Sequence, residues 1–76
     1  MSRLQPIRAQ ELISVLKKLD FSALRQKGSH IFFQHPDGRA TVVPFHKGED
    51  LGRGLIRKIL RDIELTWEEF EKLLYS

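Results

Sequence analysis

Hydrophobic residues recur every three or four positions in three stretches of the chain, and each stretch predicts a helix. The first covers residues 9–19, where apolar side chains form one stripe and Gln, Ser and Lys take the other side. A second stripe predicts a helix over residues 55–62. The third helix ends at about Leu74 and begins with a capping box, in which Thr66 is the N-cap and Glu69 the third helical residue.

Between the first two helices, three stretches predict β-strands joined by tight turns. The strands cover residues 21–27, 30–35 and 39–43, and the second is the richest in residues of high β-propensity. Residues 28–29 predict the first turn, because Gly tolerates a positive φ. Residues 36–38 predict the second, since Pro presets φ for a type I turn and Gly can follow in the left-handed region. Strands joined this tightly form an antiparallel meander.

The order helix, three strands, helix, helix predicts an α+β fold. The first two helices should cover one face of the sheet, because each has an apolar stripe to bury. A chain of 76 residues makes one domain, so we expect residues 1–76 to form a single unit. Residues 1–8 have no periodicity and contain Pro6, which predicts a flexible lead-in. Residues 45–52 are polar and predict a loop.

The alternation of side chains along a strand decides which face of the sheet carries His30. With a three-residue turn between the second and third strands, Ile31 lies opposite Val43 and Phe33 lies opposite Thr41. This apolar face is the one that the helices should cover, which leaves His30 on the open face. A two-residue turn would shift the pairing by one position, but His30 and Ile31 would still point to opposite sides.

Charge is unevenly distributed along the chain. Residues 1–61 hold 12 Lys and Arg against 5 Asp and Glu, whereas residues 62–76 hold 1 against 5, and the net charge is +3. A basic body favours a polyanionic partner such as nucleic acid, although many small basic domains bind none.

The composition also excludes several classes of protein. Without cysteine, the chain has neither a disulfide framework nor a cysteine metal cluster, which suits a reducing cytosol. The three histidines are scattered and no carboxylate stands at a ligand spacing to them, so we expect no metal site and no cofactor. No apolar run approaches the ~18 residues that span a bilayer, and residues 1–10 lack the apolar core of a signal peptide. We expect a cytoplasmic protein without a membrane partner.

An ordered set of short motifs resembles the HicA toxins and covers about residues 9–70. The motifs are Gln26-Lys27-Gly28-Ser29-His30, His35-Pro36-Asp37-Gly38, Val43-Pro44-Phe45-His46 and Gly54-Leu55-Ile56-Arg57-Lys58-Ile59-Leu60. The resemblance implies a fold like the double-stranded-RNA-binding domain, helix, three antiparallel strands, helix, here with a short extra C-terminal helix. It also implies a toxin that cleaves mRNA independently of the ribosome and is neutralised by a HicB-like antitoxin.

The resemblance also assigns particular residues. The catalytic histidine of the family falls on His30, in its Gly-Ser-His context, and a loop histidine falls on His46. Three positions depart from the family pattern. Asp20 and Glu64 stand where a Gly commonly ends a helix, and Leu55 stands where a Thr is common.

Cleavage of RNA through its own 2′-hydroxyl needs a group that takes a proton and a cation that stabilises the phosphate. Histidine suits the first role, since its unperturbed pKa of ~6.5 lies near neutral pH, and Lys and Arg suit the second. This route needs no metal and leaves a cyclic phosphate on one product. Together with the resemblance, it predicts a metal-independent endoribonuclease with His30 as the catalytic residue. The predicted RNA-binding residues are Lys27, Gly28, Ser29, His46, Lys47, Arg53, Arg57 and Lys58.

Three functions remain open from the sequence: a ribonuclease toxin, an RNA-binding module of the same fold that does not cut, and an interaction protein whose basic face meets an acidic partner. Only the first requires His30. For the first, the expected partners are single-stranded mRNA and a HicB-like antitoxin, and the chain should be monomeric when free of antitoxin. His35 lies five residues after His30, so a regular strand points it to the other face, where it should only flank the turn.

Overall fold

Helices packed on one face of a three-stranded antiparallel sheet form the body of the molecule. The computed structural model describes residues 6–76. In chain order its elements are β1 (Ile7–Arg8), α1 (Ala9–Lys18), β2 (Ser22–Lys27), β3 (His30–Gln34), β4 (Ala40–Pro44), β5 (Asp50–Leu51), α2 (Arg53–Asp62) and α3 (Trp67–Leu74). The predicted α+β fold, with its meander and its short C-terminal helix, is confirmed.

The sheet has the order β2-β3-β4, and its register is the predicted one. Ile31 pairs with Val43 and Phe33 with Thr41. The backbone N–H of His35 donates to the carbonyl of Arg39 at 2.8 Å and closes the three-residue turn. Because side chains alternate across a strand, this register puts Phe33 and Val43 under the helices and leaves His30 on the open face.

The core lies between the sheet and the helices. Its apolar stripes repeat as the sequence predicts, and a stripe that faces the core is what stabilises an amphipathic helix. The largest fully buried side chains are Phe33, Phe70, Leu12, Leu16, Ile56, Ile59, Ile63, Val15 and Val43. The third helix begins with the predicted capping box, in which the Thr66 hydroxyl accepts from the Glu69 N–H at 3.1 Å.

A small second sheet replaces part of the predicted lead-in and part of the predicted loop. Ile7 pairs with Leu51 and Arg8 with Asp50. Two apolar side chains drive this pairing, since Ile7 is only 8% exposed and Leu51 only 6%. A two-residue strand is too short for alternation to be visible in the sequence. Of the predicted flexible segment, residues 1–5 lie outside the described residues. The second helix also starts two residues earlier than predicted, at Arg53.

Two helices end with a left-handed residue that is not glycine. Asp20 has a φ of 70° and Glu64 a φ of 58°. After α1, the N–H of Phe21 donates to the carbonyl of Leu16 at 2.9 Å, which is the long bond of a Schellman motif. The same bond follows α2, where the N–H of Leu65 reaches the carbonyl of Leu60. The helix ends that the sequence marks as departures therefore keep the motif, at a conformational cost that a glycine would not have.

Candidate active site

His30 is the first residue of β3 and stands exposed on the open face of the sheet. It pairs with Lys27 of β2 on one side and with Pro44 of β4 on the other. Within residues 6–76, no group forms a hydrogen bond with its imidazole. Both ring nitrogens are therefore available to exchange protons with a ligand, as a general acid or base requires.

The turn before His30 is tied to the segment that follows β4. Gly28 takes a φ of 59°, a backbone conformation that favours glycine. A Cβ at this position would meet no atom within 4 Å, so the conformation and not a lack of space is the reason for a glycine here. The carbonyl of Ser29 accepts from the N–H of Phe45 at 2.6 Å. This bond holds the turn against the start of the next loop, where His46 is the following residue and is exposed.

Most of the predicted cationic residues are free of carboxylates. Lys27, Lys47, Arg53 and Arg57 are exposed, and in the part of the chain that the structure describes none has a carboxylate within ion-pair distance. A cation without a partner keeps its full attraction for a phosphate.

Lys58 differs from the other predicted cations. Its ammonium group donates to the Asp62 carboxylate at 2.9 Å, one turn further along α2. The same carboxylate accepts from the hydroxyl of the buried Thr41 at 3.0 Å. The charge of Lys58 is thus balanced within the protein, which makes it the weakest of the predicted phosphate contacts.

The structure brings the predicted residues together in two groups. Lys27, Gly28 and Ser29 share one turn with His30. The arginines are on α2, whose last turn lies against the start of β4, where the Thr41 hydroxyl donates to the Asp62 carboxylate.

An arginine and a phenylalanine next to His30 were not among the predicted site residues. The guanidinium carbon of Arg25 lies 4.7 Å from the ring centroid of Phe32, its cross-strand neighbour. The register of β2 shifts between Ala23 and Arg25, so Leu24 forms a bulge there and is 62% exposed. A signal was present, because Arg25 and Lys27 stand two apart on one strand and thus share a face.

The opposite end of β3 carries a closed network around His35. The His35 ring lies 5.1 Å from that of Phe21, and its Nδ1 accepts from the Asp37 N–H at 3.0 Å. If that nitrogen is protonated it can instead donate to the Asp37 carboxylate, also at 3.0 Å. The guanidinium of Arg39 donates to the same carboxylate at 2.8 Å and to the carbonyl of Ile63. His35 flanks the turn, as predicted.

Hydrogen bonding holds the Asp37 carboxylate in its charged form. The backbone N–H of Arg39 donates to it at 3.0 Å, and this bond is the main reason that the Asp37 pKa is lowered from its usual 3.8. The guanidinium of Arg39 lowers the pKa further, and the charge of a protonated His35 adds to the effect.

Over residues 6–76, no three His, Asp or Glu side chains come together in a way that would hold a metal ion. Nor does any helix in that range have both the length and the apolar character needed to cross a membrane.

One comparison with known proteins bears on the function. The family model described as the HicA toxin of bacterial toxin-antitoxin systems matches residues 9–65. The matched range includes α1, the whole three-stranded sheet, α2 and every predicted site residue. None of the curated proteins compared with the chain is similar enough to count as a match.

Proposed function

The chain belongs to the HicA toxin family of bacterial toxin–antitoxin systems, and from this premise we propose that it cleaves mRNA with His30 as the proton-transfer residue. The observation that carries the proposal is the state of His30, which is exposed, without hydrogen bonds among the described residues, and next to Lys27 across a tight turn. A histidine in this position can approach a ribose-phosphate that lies on the open face.

The proposed reaction uses the nucleophile that RNA itself carries. His30 takes the proton of a ribose 2′-hydroxyl, whose oxygen forms a bond to the adjacent phosphorus. The bond from phosphorus to the 5′ oxygen of the next nucleotide breaks, and that oxygen takes a proton. The products are a 2′,3′-cyclic phosphate and a 5′-hydroxyl. Lys27 stabilises the charge that develops on the phosphate oxygens, as a preorganised cation does in a phosphoryl-transfer site.

His46 is the candidate for the second proton transfer. The bond from Phe45 to Ser29 holds the start of its loop against the turn that precedes His30. We propose that His46 either protonates the leaving oxygen or contacts the phosphate. Gly28 and Ser29 present backbone groups to the RNA, and Lys47 attracts the strand beside the cleaved bond. Arg53 and Arg57 are on α2, behind the sheet, so they attract the RNA only where it passes the edge of the sheet, and Lys58 contributes least.

The experiment is digestion of an unstructured RNA by the purified chain in the presence of a chelator, with the ends of the products identified. We expect cleavage that needs no metal and products that end in a cyclic phosphate. The variant His30→Ala should lose the activity by about 100- to 10,000-fold, the usual contribution of a general acid or base. Equal cleavage by this variant, once its circular dichroism shows that it is folded, would contradict the role of His30.

A second candidate function is RNA binding without cleavage, favoured by the exposed cations that have no carboxylate partner among the described residues. In that case the wild-type protein binds RNA in a salt-dependent way and leaves it intact. For either function, we propose that a HicB-like antitoxin neutralises the chain, that the chain is monomeric without it, and that it acts in the cytoplasm, where mRNA is present. Size-exclusion chromatography with and without the antitoxin tests the assembly.

A further inference from the structure

The open face of the sheet combines basic and apolar side chains, a composition that exposure to water alone does not explain. Beside His30 it carries cations and apolar side chains, and none of the three strands contains an acidic residue. By register, the residues on this face are Ser22, Leu24, Arg25, Lys27, His30, Phe32, Gln34, Ala40, Val42 and Pro44. A shallow depression crosses the face between β2 and the edge of β4, where Lys58 and Asp62 neutralise one another.

Arg25 and Phe32 form the centre of this surface. The guanidinium lies 4.7 Å from the ring centroid, and the bulge at Leu24 places two residues of β2 opposite Phe32. Arg25 is exposed and Phe32 is half-buried, so part of the phenylalanine remains accessible, and a cation–π pair at such a site adds little to folding. Leu24 beside them is 62% exposed, and apolar side chains exposed next to cations that have no carboxylate partner within residues 6–76 are typical of a binding site.

The charge and the chemistry of this face together select one kind of occupant. Arg25 and Lys27, which have no carboxylate partner in the part of the chain that the structure describes, fit a polyanion. An aromatic ring or a guanidinium plane fits the flat face of a base. Single-stranded RNA offers both features at once, since its bases are free to stack on protein side chains. A duplex presents its phosphates but keeps its bases stacked inside, so it cannot use the apolar part of this face.

The spacing relates this pair to His30. Phe32 and His30 lie two residues apart on one strand and share a face, which separates their Cα atoms by roughly 7 Å. We propose that Arg25 and Phe32 form a stacking platform for one unpaired base of the RNA, which positions the adjoining ribose-phosphate at His30 and Lys27. The platform makes single-stranded RNA the preferred substrate. This inference rests on the proposed ribonuclease function, to which it adds the residues that bind a base next to the cleaved bond.

The test measures RNA binding in the His30→Ala background, so that cleavage does not interfere. The probes are a short, fluorescently labelled, unstructured RNA and a duplex of the same length. Phe32→Leu keeps the apolar volume and removes the ring, and Arg25→Gln removes the cation. Each should weaken binding of the single strand about 5- to 150-fold, the range for one stacked base. Phe32→Leu should leave binding of the duplex unchanged.

Tyr75→Leu is the matched control, because this aromatic residue is 74% exposed and lies outside the sheet. It should leave both affinities unchanged. Phe32→Tyr keeps the ring and should retain binding, which covers the case in which Phe32→Leu fails to fold. Unaltered binding of the single strand by both Phe32→Leu and Arg25→Gln would overturn the platform. An equal loss for single strand and duplex in Phe32→Leu would also overturn it, since stacking distinguishes the two.

Cleavage assays separate this inference from the proposed function. In the active protein, Phe32→Leu should raise KM for the single strand and also lower kcat, because the ribose-phosphate is positioned less well at His30 and Lys27. If the wild type binds but never cleaves, and Phe32→Leu still weakens binding, the ribonuclease fails and the platform stands as an RNA-binding site. If the wild type cleaves and Phe32→Leu changes neither KM nor affinity, the platform fails and the ribonuclease stands. Loss of antitoxin binding with unaltered RNA affinity would assign the face to the protein partner instead.

Discussion

His30 begins β3 and His35 directly follows its last residue, and the surroundings of the two histidines are opposite. His30, on the open face, has no hydrogen-bond partner among the described residues and lies beside an unpaired lysine. His35 packs against the ring of Phe21 and is bonded to Asp37, which is held in turn by Arg39. The same side chain is thus free for proton transfer at one end of the strand and part of the scaffold at the other. Local bonding, and not residue type, decides which histidine is the catalytic candidate.

The two turns produce this difference. The turn before His30 has only two residues, and its fold depends on a backbone bond and on the left-handed Gly28. The turn after His35 contains an aspartate that binds two neighbouring groups. Arg39 continues the network to the end of α2, through the carbonyl of Ile63. One end of the sheet is therefore bonded to the end of a helix, while at the other end the side chains of His30 and Lys27 have no hydrogen-bond partner within residues 6–76.

The largest expected effect is on RNA cleavage, and it should distinguish an alanine variant at His30 from one at His35. His30→Ala should lose about 100- to 10,000-fold in cleavage and change the free energy of unfolding by less than about 0.5 kcal/mol. His35→Ala should keep its cleavage rate and lose about 1–2 kcal/mol of stability, because it removes a ring contact and a hydrogen bond. RNA cleavage assays and urea unfolding of both variants measure the two effects. A stability loss for His30→Ala as large as that for His35→Ala would remove the contrast.

The next largest effect is expected at Arg39, which belongs to the network around His35. We call this part of the sheet its bonded end. Its side chain is 23% exposed and joins the Asp37 carboxylate, the Phe21 ring and the carbonyl of Ile63. We expect Arg39→Ala to lower the free energy of unfolding by about 2–3 kcal/mol, because it leaves a partly buried carbonyl without its donor and removes an ion pair. Urea denaturation measures the loss. Arg57→Ala, an exposed arginine without such contacts among the described residues, is the control and should change stability little.

How much of this contrast could be predicted depends on the range over which each interaction acts. Alternation and turn chemistry are local, so they predicted the register at Ile31 and Val43 and the open-face position of His30. The pairing of Arg25 with Phe32 depends on a bulge at Leu24. The bulge shifts the alternation of side chains along β2, and no residue pattern in the sequence indicates it. The bond from Arg39 to Ile63 joins residues that are far apart in the chain, and no periodic pattern encodes it.

A smaller effect, in the stabilising direction, is expected at the two left-handed helix ends. Asp20 leads directly into Phe21, and Glu64 follows Ile63, so both support the bonded end of the sheet. Replacing either with Gly should raise the free energy of unfolding by about 0.5–1 kcal/mol, because Gly adopts a positive φ without steric cost. The two gains should add, since no contact joins the two residues. Thermal unfolding measures them, and RNA cleavage should not change. A destabilised Glu64→Gly variant would show that the side chain contributes more than its strain costs.

The smallest expected effect is a dependence on pH that comes from Asp37. Its pKa is lowered in the folded protein, chiefly by the hydrogen bond from the Arg39 N–H. A carboxyl whose pKa is lower in the folded than in the unfolded protein stabilises the fold at any pH above the unfolded pKa, which is near 3.8 here. This contribution is lost as the pH falls through the folded pKa.

The variant Asp37→Asn tests this dependence, because it retains an oxygen that can accept from the backbone but has no such titration. The Tm of the wild type should therefore exceed that of Asp37→Asn at neutral pH, and the difference should shrink as the pH falls below about 4. Because the carboxylate is exposed to solvent, salt should reduce the difference as well. A Tm difference that is constant from neutral to acid pH would show that Asp37 contributes only through the conformation of its turn. The bonded end of the sheet would then depend on Arg39 and His35 but not on the charge of the Asp37 carboxylate between them.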